Sequence, residues 1–257
     1  MGKVYLILAD GMRPDGMLQC GHPMVEKLMQ AGASTLTAQT VMPSVTLPCH
    51  MSLFHSVGPE RHGVTTNTFT PQVRPVKGLF DRLTDFEKKC AFYYSWGELR
   101  DLHQPASVAD ARFIQGGTYT YEAASEELTE MTLQAREKGG HDFTFLYLGE
   151  VDDIGHRYGW MGKEYLQAVS HSFDCIARVY EAMDPEDLLI VTADHGGHQR
   201  SHGTDCPEDM TIPVLAVGGP FAPGSTLPET RIIDLAPTIA KFLGVPADAD
   251  WEGHSLY

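Results

Sequence analysis

Five short, nearly unbroken apolar runs recur along the chain: KVYLILA (3–9), KCAFYYSW (89–96), FTFLYLG (143–149), DLLIVTA (187–193) and IPVLAVG (212–218). They are rich in β-branched and aromatic residues and too short for buried helices, so each predicts a strand covered on both faces. Amphipathic stretches separate them. HPMVEKLMQAG (22–32), KGLFDRLTDFEKK (77–89), YEAASEELTEMTLQAREKGG (121–140), KEYLQAVSHSFDCIARVYEAM (163–183) and DLAPTIAKFLG (234–244) predict helices. Gly32, Gly139 and Gly244 read as stops, and Asp234 as the N-cap of the last helix. Strands alternating with helices predict an α/β fold, a three-layer α/β/α sandwich around a mostly parallel central sheet. The 257 residues suit one large domain, 1–257, with little room for a cap.

Ligands in such sheets bind beyond the carboxyl ends of the strands. The first run ends in Asp10. The third runs into Glu150, Asp152, Asp153 and His156, and the fourth into Asp194, His195, His198 and His202. A lone aspartate after a strand is usually a turn residue, and a lone histidine is usually structural. Carboxylates delivered by three strands to one edge would repel, and cations are the economical remedy. Asp oxygen and His nitrogen, with no thiolate alongside, suit Zn²⁺, with Mn or Fe as alternatives, and the donors suffice for two divalent ions. Asp152 and His156, four residues apart, share one face of a helical turn.

The stretch VMPSVTLPCH (41–50) sets Thr46 between two prolines just ahead of a helical segment. A threonine hydroxyl needs a cation's help to act as a nucleophile at neutral pH, and a helix N-terminus favours an attacked phosphate. The formal charge of -15 argues against a nucleic-acid polymer or an anionic membrane as partner, but not against a small phosphate-ester or phosphoanhydride substrate. No apolar run reaches membrane-spanning length, and the opening run meets Asp10 too early for a signal peptide, so it reads as the first strand of a mature protein. Five scattered cysteines without a CxxC pair fit reduced thiols in a cytoplasm.

ADG at Asp10, PSVTLPCH around Thr46, RHGVTTN ending in Asn67, VDDIGHRYG, TADHGGH and SHGTD, in that order, resemble the alkaline phosphatase superfamily and within it the nucleotide pyrophosphatase/phosphodiesterase branch. The closing DLAPTIAKFLGVP resembles that superfamily's last helix. The resemblance implies an alkaline-phosphatase-like core and a two-metal hydrolase. One metal would be held by Asp152, His156 and His202, with His198 as the alternative to His202. The other would be held by Asp10, Asp194, His195 and Thr46. Thr46 would attack phosphorus and form a phosphothreonine that water hydrolyses, and Asn67 would bond a non-bridging phosphate oxygen. Sulfatases share that core, but VTLPCH lacks their C-x-P-x-R or S-x-P-x-R context. Mutases carry a further domain; a phosphonoacetate hydrolase, a phosphomonoesterase and a non-catalytic metal- or phosphate-binding module are the remaining rivals. His50, His55 and His62 read as structural and Cys49 as a small buried residue. Trp96 and Arg100 stand equally as pocket wall or as packing and surface groups, and Glu150 and Asp153 as orienters of the ligand histidines.

Overall fold

A computed structural model describes residues 2–257. Eight strands form one sheet: β1 (Val4–Ala9), β2 (Ala33–Gln39), β3 (Cys90–Tyr94), β4 (Asp110–Phe113), β5 (Phe143–Leu148), β6 (Leu188–Thr192), β7 (Thr211–Val217) and β8 (Ser225–Thr226). Their order is β4-β3-β5-β1-β6-β7-β2-β8. β1 runs parallel to β5 and β6, and β3 runs parallel to β4 and β5. β7 is antiparallel to both of its neighbours, β6 and β2. The sheet is therefore mostly parallel with a mixed half.

The five apolar runs are β1, β3, β5, β6 and β7. The other three strands lack the signal that marks these. β2 reads ASTLTAQ and alternates buried with partly exposed positions, while β4 is a largely exposed edge strand. Both carry mostly polar or small side chains, so no apolar run announces them.

Helices cover both faces. One layer packs Thr46–His55 against Leu79–Thr84 and Leu235–Phe242; the other packs Tyr121–Glu137 and Glu150–Tyr158 against Lys163–Ala182. The segment 77–89, expected to be helical throughout, is a helix only over Leu79–Thr84, because Glu87 takes a positive φ of 59° that an α-helix cannot accommodate. Asp234 does sit at the N-cap of the last helix, but its carboxylate does not cap it. Its oxygens instead accept from Arg231 N at 2.7 Å and His254 N at 2.9 Å, tying the C-terminal tail to the preceding turn. Gly244, with φ of 71°, ends that helix in the left-handed conformation expected of it. No helix among the described residues is long and apolar enough to cross a membrane.

Under the sheet, Phe54 lies 4.9 Å from Phe80, 5.0 Å from Phe145 and 6.3 Å from Phe92, ring centre to ring centre. All four rings are buried, and together they seat the helix Thr46–His55 on β3 and β5. Phe54→Ala should therefore cost about 3–5 kcal/mol, read as a lowered urea midpoint with an unchanged slope.

Candidate active site and metal centre

The strand order explains the site. β5, β1 and β6 are adjacent and parallel, so their carboxyl ends lie side by side. Asp10 follows β1, the helix Glu150–Tyr158 follows β5 and brings Asp152 and His156, and Asp194 and His195 follow β6. Gly11 turns the chain directly after Asp10 with φ of 72°, and a Cβ there would stand 3.2 Å from Asp152, so this close approach needs glycine.

Two donor groups result. Asp152, His156 and His202 form one, and Asp10, Asp194 and His195 the other. The His195 and His202 rings stack with centres 3.8 Å apart, so the two groups adjoin. His198 is not brought to Asp152 and His156. It belongs to a separate cluster with Cys206 and Asp209.

Each of the three histidines in the two groups directs Nδ1 to a main-chain carbonyl: His195 to Gly196 at 2.7 Å, His202 to Ser44 at 2.9 Å and His156 to Arg200 at 3.0 Å. A carbonyl only accepts, so Nδ1 carries a proton, and in the neutral ring Nε2 then presents a lone pair. The carboxylates facing those lone pairs are left without donors. Asp10 Oδ1, Asp152 Oδ1 and Asp194 Oδ2 are buried and accept no hydrogen bond. Their separations from Nε2 atoms are 3.3 Å (His195 to Asp10), 3.4 Å (His195 to Asp194) and 3.6 Å (His202 to Asp152), and His156 stands 3.5 Å from Asp152 Oδ2. Two ligand atoms each about 2.1 Å from one tetrahedral ion lie roughly 3.4 Å apart. The spacing, the orphaned oxygens and the lone pairs all fit divalent cations.

Electrostatics agree. Burial raises the Asp10 carboxyl well above its usual range, with Asp194 adding to the effect. Burial likewise raises Asp152, with Asp10 and Asp194 adding. Asp194 rises to about 7 through burial, held back by bonds including that from Gly11 N. Burial lowers His195, and it lowers His202 to about 3, keeping both imidazoles neutral, as ligands must be. The Tyr147 hydroxyl donates to Asp10 Oδ2 and orients it.

Thr46 is the first residue of the helix Thr46–His55 and is 4% exposed. Its Oγ1 lies 3.1 Å from His195 Nε2 and, with that nitrogen unprotonated, is the donor. His50, one turn on, donates Nδ1–H to Thr46 O at 2.8 Å. His55 bonds Met51 O, and His62 meets Ser52 Oγ, so all three histidines serve the local architecture; Cys49 is buried. Asn67 Oδ1 accepts Leu47 N–H at 3.0 Å, which fixes the amide so that its NH₂ is free to donate.

Asp10, Thr46, Asn67, Asp152, His156 and His202 line a cleft of about 270 Å³ with Trp96, Tyr121 and Tyr147 in its wall. Trp96 is a wall residue; Arg100 is not, and bonds Gly97 O instead. Tyr121 and Tyr147 are wall residues that motif reading passes over, since one opens an ordinary amphipathic helix and the other sits inside an apolar strand. Glu150 and Asp153 do not orient the histidines of the two donor groups. Glu150 Oε2 pairs with His171 at 2.5 Å, and Asp153 pairs with Arg157 at 3.0 Å, because the histidine Nδ1 atoms are already committed to carbonyls. All five cysteines are free.

A model of the type I phosphodiesterase / nucleotide pyrophosphatase family matches residues 4–205. The chain belongs to that family. The phosphodiesterase family in turn lies within the alkaline phosphatase superfamily, and solved structures share the fold of this chain. Murine ectonucleotide pyrophosphatase/phosphodiesterase 5, in complex with AMP, superposes with a TM-score of 0.80 at 16% identity, covering 96% of each chain. A phosphonate monoester hydrolase from Silicibacter pomeroyi gives 0.77 at 16% identity, covering all of this chain and 76% of the other. At such identities the likeness is one of fold. Among curated proteins, a phosphopentomutase from Shewanella loihica is 32% identical over 194 residues, 75% of this chain and 45% of its own length. One from Vibrio cholerae is 29% identical over 159 residues, 62% of this chain and 37% of its own. The chain thus spans less than half the length of these phosphopentomutases. Family members transfer phosphoryl groups, and the superfamily is metal-dependent.

Behind the site, His171 donates to Glu150 at 2.5 Å and to Glu126 at 3.2 Å. The Glu150 bond, against the pull of burial, raises this imidazole to about 9. A histidine raised on folding contributes stability below its unfolded value near 6.5 and loses it as pH climbs through about 9. The unfolding free energy from urea titration should fall across that window by an amount on the order of 1 kcal/mol after solvent screening. In His171→Ala the slope over the same window should flatten; an unchanged slope would refute the assignment.

Proposed function

We propose that the chain is a two-metal phosphoric ester hydrolase of the phosphodiesterase/nucleotide pyrophosphatase type, working through a phosphothreonine at Thr46. The observation that carries this reading is the place of Thr46 Oγ1: at a helix N-terminus, on the cleft, 3.1 Å from a histidine of one donor group. Asp152, His156 and His202 hold one ion, and Asp10, Asp194, His195 and Thr46 the other, most simply Zn²⁺, with Mn or Fe accepted by the same donors. When bound, the ions supply positive charge to the oxygens of the phosphoryl group.

The chain's own residues do the rest. His195 at the Thr46 hydroxyl and His50 at its carbonyl hold Thr46 in a fixed geometry, so little reorganisation accompanies reaction. Thr46 Oγ1 gives its proton to solvent and bonds to phosphorus as the bond to the leaving oxygen breaks, and that oxygen departs with the electron pair and takes up a proton from solvent. Water then takes the phosphoryl group and restores the hydroxyl. Asn67 donates its free NH₂ to a non-bridging oxygen, and the helix N-terminus beneath Thr46 favours the same anionic group. The structural neighbour's AMP and the aromatic walls at Trp96 and Tyr121 favour a nucleotide-type substrate.

Thr46→Ala should remove all but a few per cent of turnover at most while elemental analysis still finds both ions; larger residual activity would move the nucleophile elsewhere.

Charge sets the substrate preference. No Lys or Arg lines the cleft, and none occurs from Gly32 through Glu60. Two divalent ions against three carboxylates leave little surplus charge for the second negative charge of a monoester. Diesters or nucleotide phosphoanhydrides should surpass monoesters in kcat/KM by at least about tenfold, near 1.4 kcal/mol. Paired assays of an aryl nucleotide diester and the matching aryl monoester in saturating Zn²⁺ read this directly. Faster monoester turnover, or phosphoryl delivery to a second sugar hydroxyl in place of water, would overturn the diesterase reading.

A further inference from the structure

The loop that leaves β6 carries His202 with little structure of its own. It holds Gly196, Gly197 and Gly203, the last at φ of 107°, and its regular pairing is one bridge between His198 and Ser201. A metal ligand on such a loop needs an anchor, and the anchor lies on the segment that precedes the nucleophile. Ser44 is wholly buried, two residues before Thr46. Its carbonyl accepts His202 Nδ1–H at 2.9 Å, and its hydroxyl donates to Thr204 O at 2.7 Å. Thr204 in turn gives N–H at 2.9 Å and Oγ1–H at 2.7 Å to Asp209 Oδ2. Asp209 is wholly buried, takes His198 Nδ1–H on Oδ1 at 2.8 Å, and accepts Gly196 N–H on its main-chain oxygen at 2.8 Å.

The circuit is closed. His202 hangs from Ser44, Ser44 from Thr204, Thr204 from Asp209, and Asp209 returns to the start of the loop at Gly196. Its other member, the His198–Cys206–Asp209 cluster, has metal-ligating side chains but not the spacing seen in the two donor groups. Its nitrogen and oxygen stand 2.8 Å apart, a hydrogen bond, against roughly 3.4 Å for two ligands of one tetrahedral ion. It clamps the loop.

We propose that Ser44, Thr204 and Asp209 are positioning residues: their relay holds His202 in register with the Thr46 segment, so that retention of the ion at Asp152, His156 and His202 depends on the Ser44 hydroxyl, which touches neither ion nor substrate. The proposal rests on the two-metal reading above. Outer partners that fix a ligating histidine commonly govern metal affinity by about 10–100-fold.

The test is calorimetric titration of the metal-free full chain with Zn²⁺. The parent should show two binding steps, with His202→Ala identifying the step that belongs to His202. Ser44→Ala should weaken that step by at least about tenfold and leave the other within roughly twofold, and excess Zn²⁺ should recover the activity lost at low Zn²⁺. Thr204→Val, which keeps the volume and the main-chain bond but removes the hydroxyl bond to Asp209, should weaken the same step, and Thr204→Ser, which keeps the hydroxyl, should match the parent. Both steps unchanged in Ser44→Ala, both weakened together, or a fall in kcat that excess Zn²⁺ does not recover would each overturn the relay while leaving the two-metal reading intact. A parent chain that binds no ion would overturn that reading and the relay with it.

Discussion

Three carboxylates, each with an oxygen withdrawn from water, at the adjacent ends of β5, β1 and β6 are the constraint around which this molecule is organised. Asp10, Asp152 and Asp194 each keep a buried oxygen that no hydrogen bond reaches. Burial pushes them toward the protonated form, with mutual repulsion adding at Asp10 and Asp152, while burial holds His195 and His202 neutral. A protein gains nothing by such a cluster unless a cation compensates it, because buried polar groups without partners cost stability. The fold keeps the cluster anyway, and the rest of the structure follows from holding it in place.

The scaffold is built for rigidity. β1, β5 and β6 are buried throughout, so the strand ends cannot shift independently. The aromatic group around Phe54 seats the helix that begins at Thr46 on β3 and β5, and His50 ties Thr46 O one turn down that helix. Each histidine of the two donor groups is aimed by one main-chain carbonyl. These carbonyls come from a turn, a loop and the Ser44 segment, so ring orientation depends on chain path and not on neighbouring acids. That division frees Glu150 to pair with His171 and Asp153 to pair with Arg157 without disturbing the ligands.

The cleft's charge follows from the same economy. Its lining is acidic, aromatic or neutral, and the positive charge must come from what binds there. Arg100 lies close in sequence to the wall residue Trp96 yet turns back to Gly97. A family whose members share this core and differ in the groups they transfer is consistent with chemistry fixed at the strand ends and selectivity set by the loops around them.

Much of this was legible in the chain alone. Continuous apolar runs betray strands buried on both faces, because burial excludes polar side chains along their whole length, and the acids and histidines follow at once. The motif order carried the family, and hence Thr46, Asn67 and the two donor groups as expectations. What tertiary structure alone decided is narrower. β2 and β4 form through pairing at polar positions that no periodicity marks. The 77–89 helix is cut short by a local backbone turn, and Asp234 spends its oxygens on the C-terminal tail. The choice of His202 over His198 depends on which ring reaches Asp152 across the loop, and the part played by Ser44 depends on contacts to residues about 160 positions away. Sequence records which side chains are available in local order; hydrogen bonds that close across the sheet's edge are set by three-dimensional proximity, which local order does not encode.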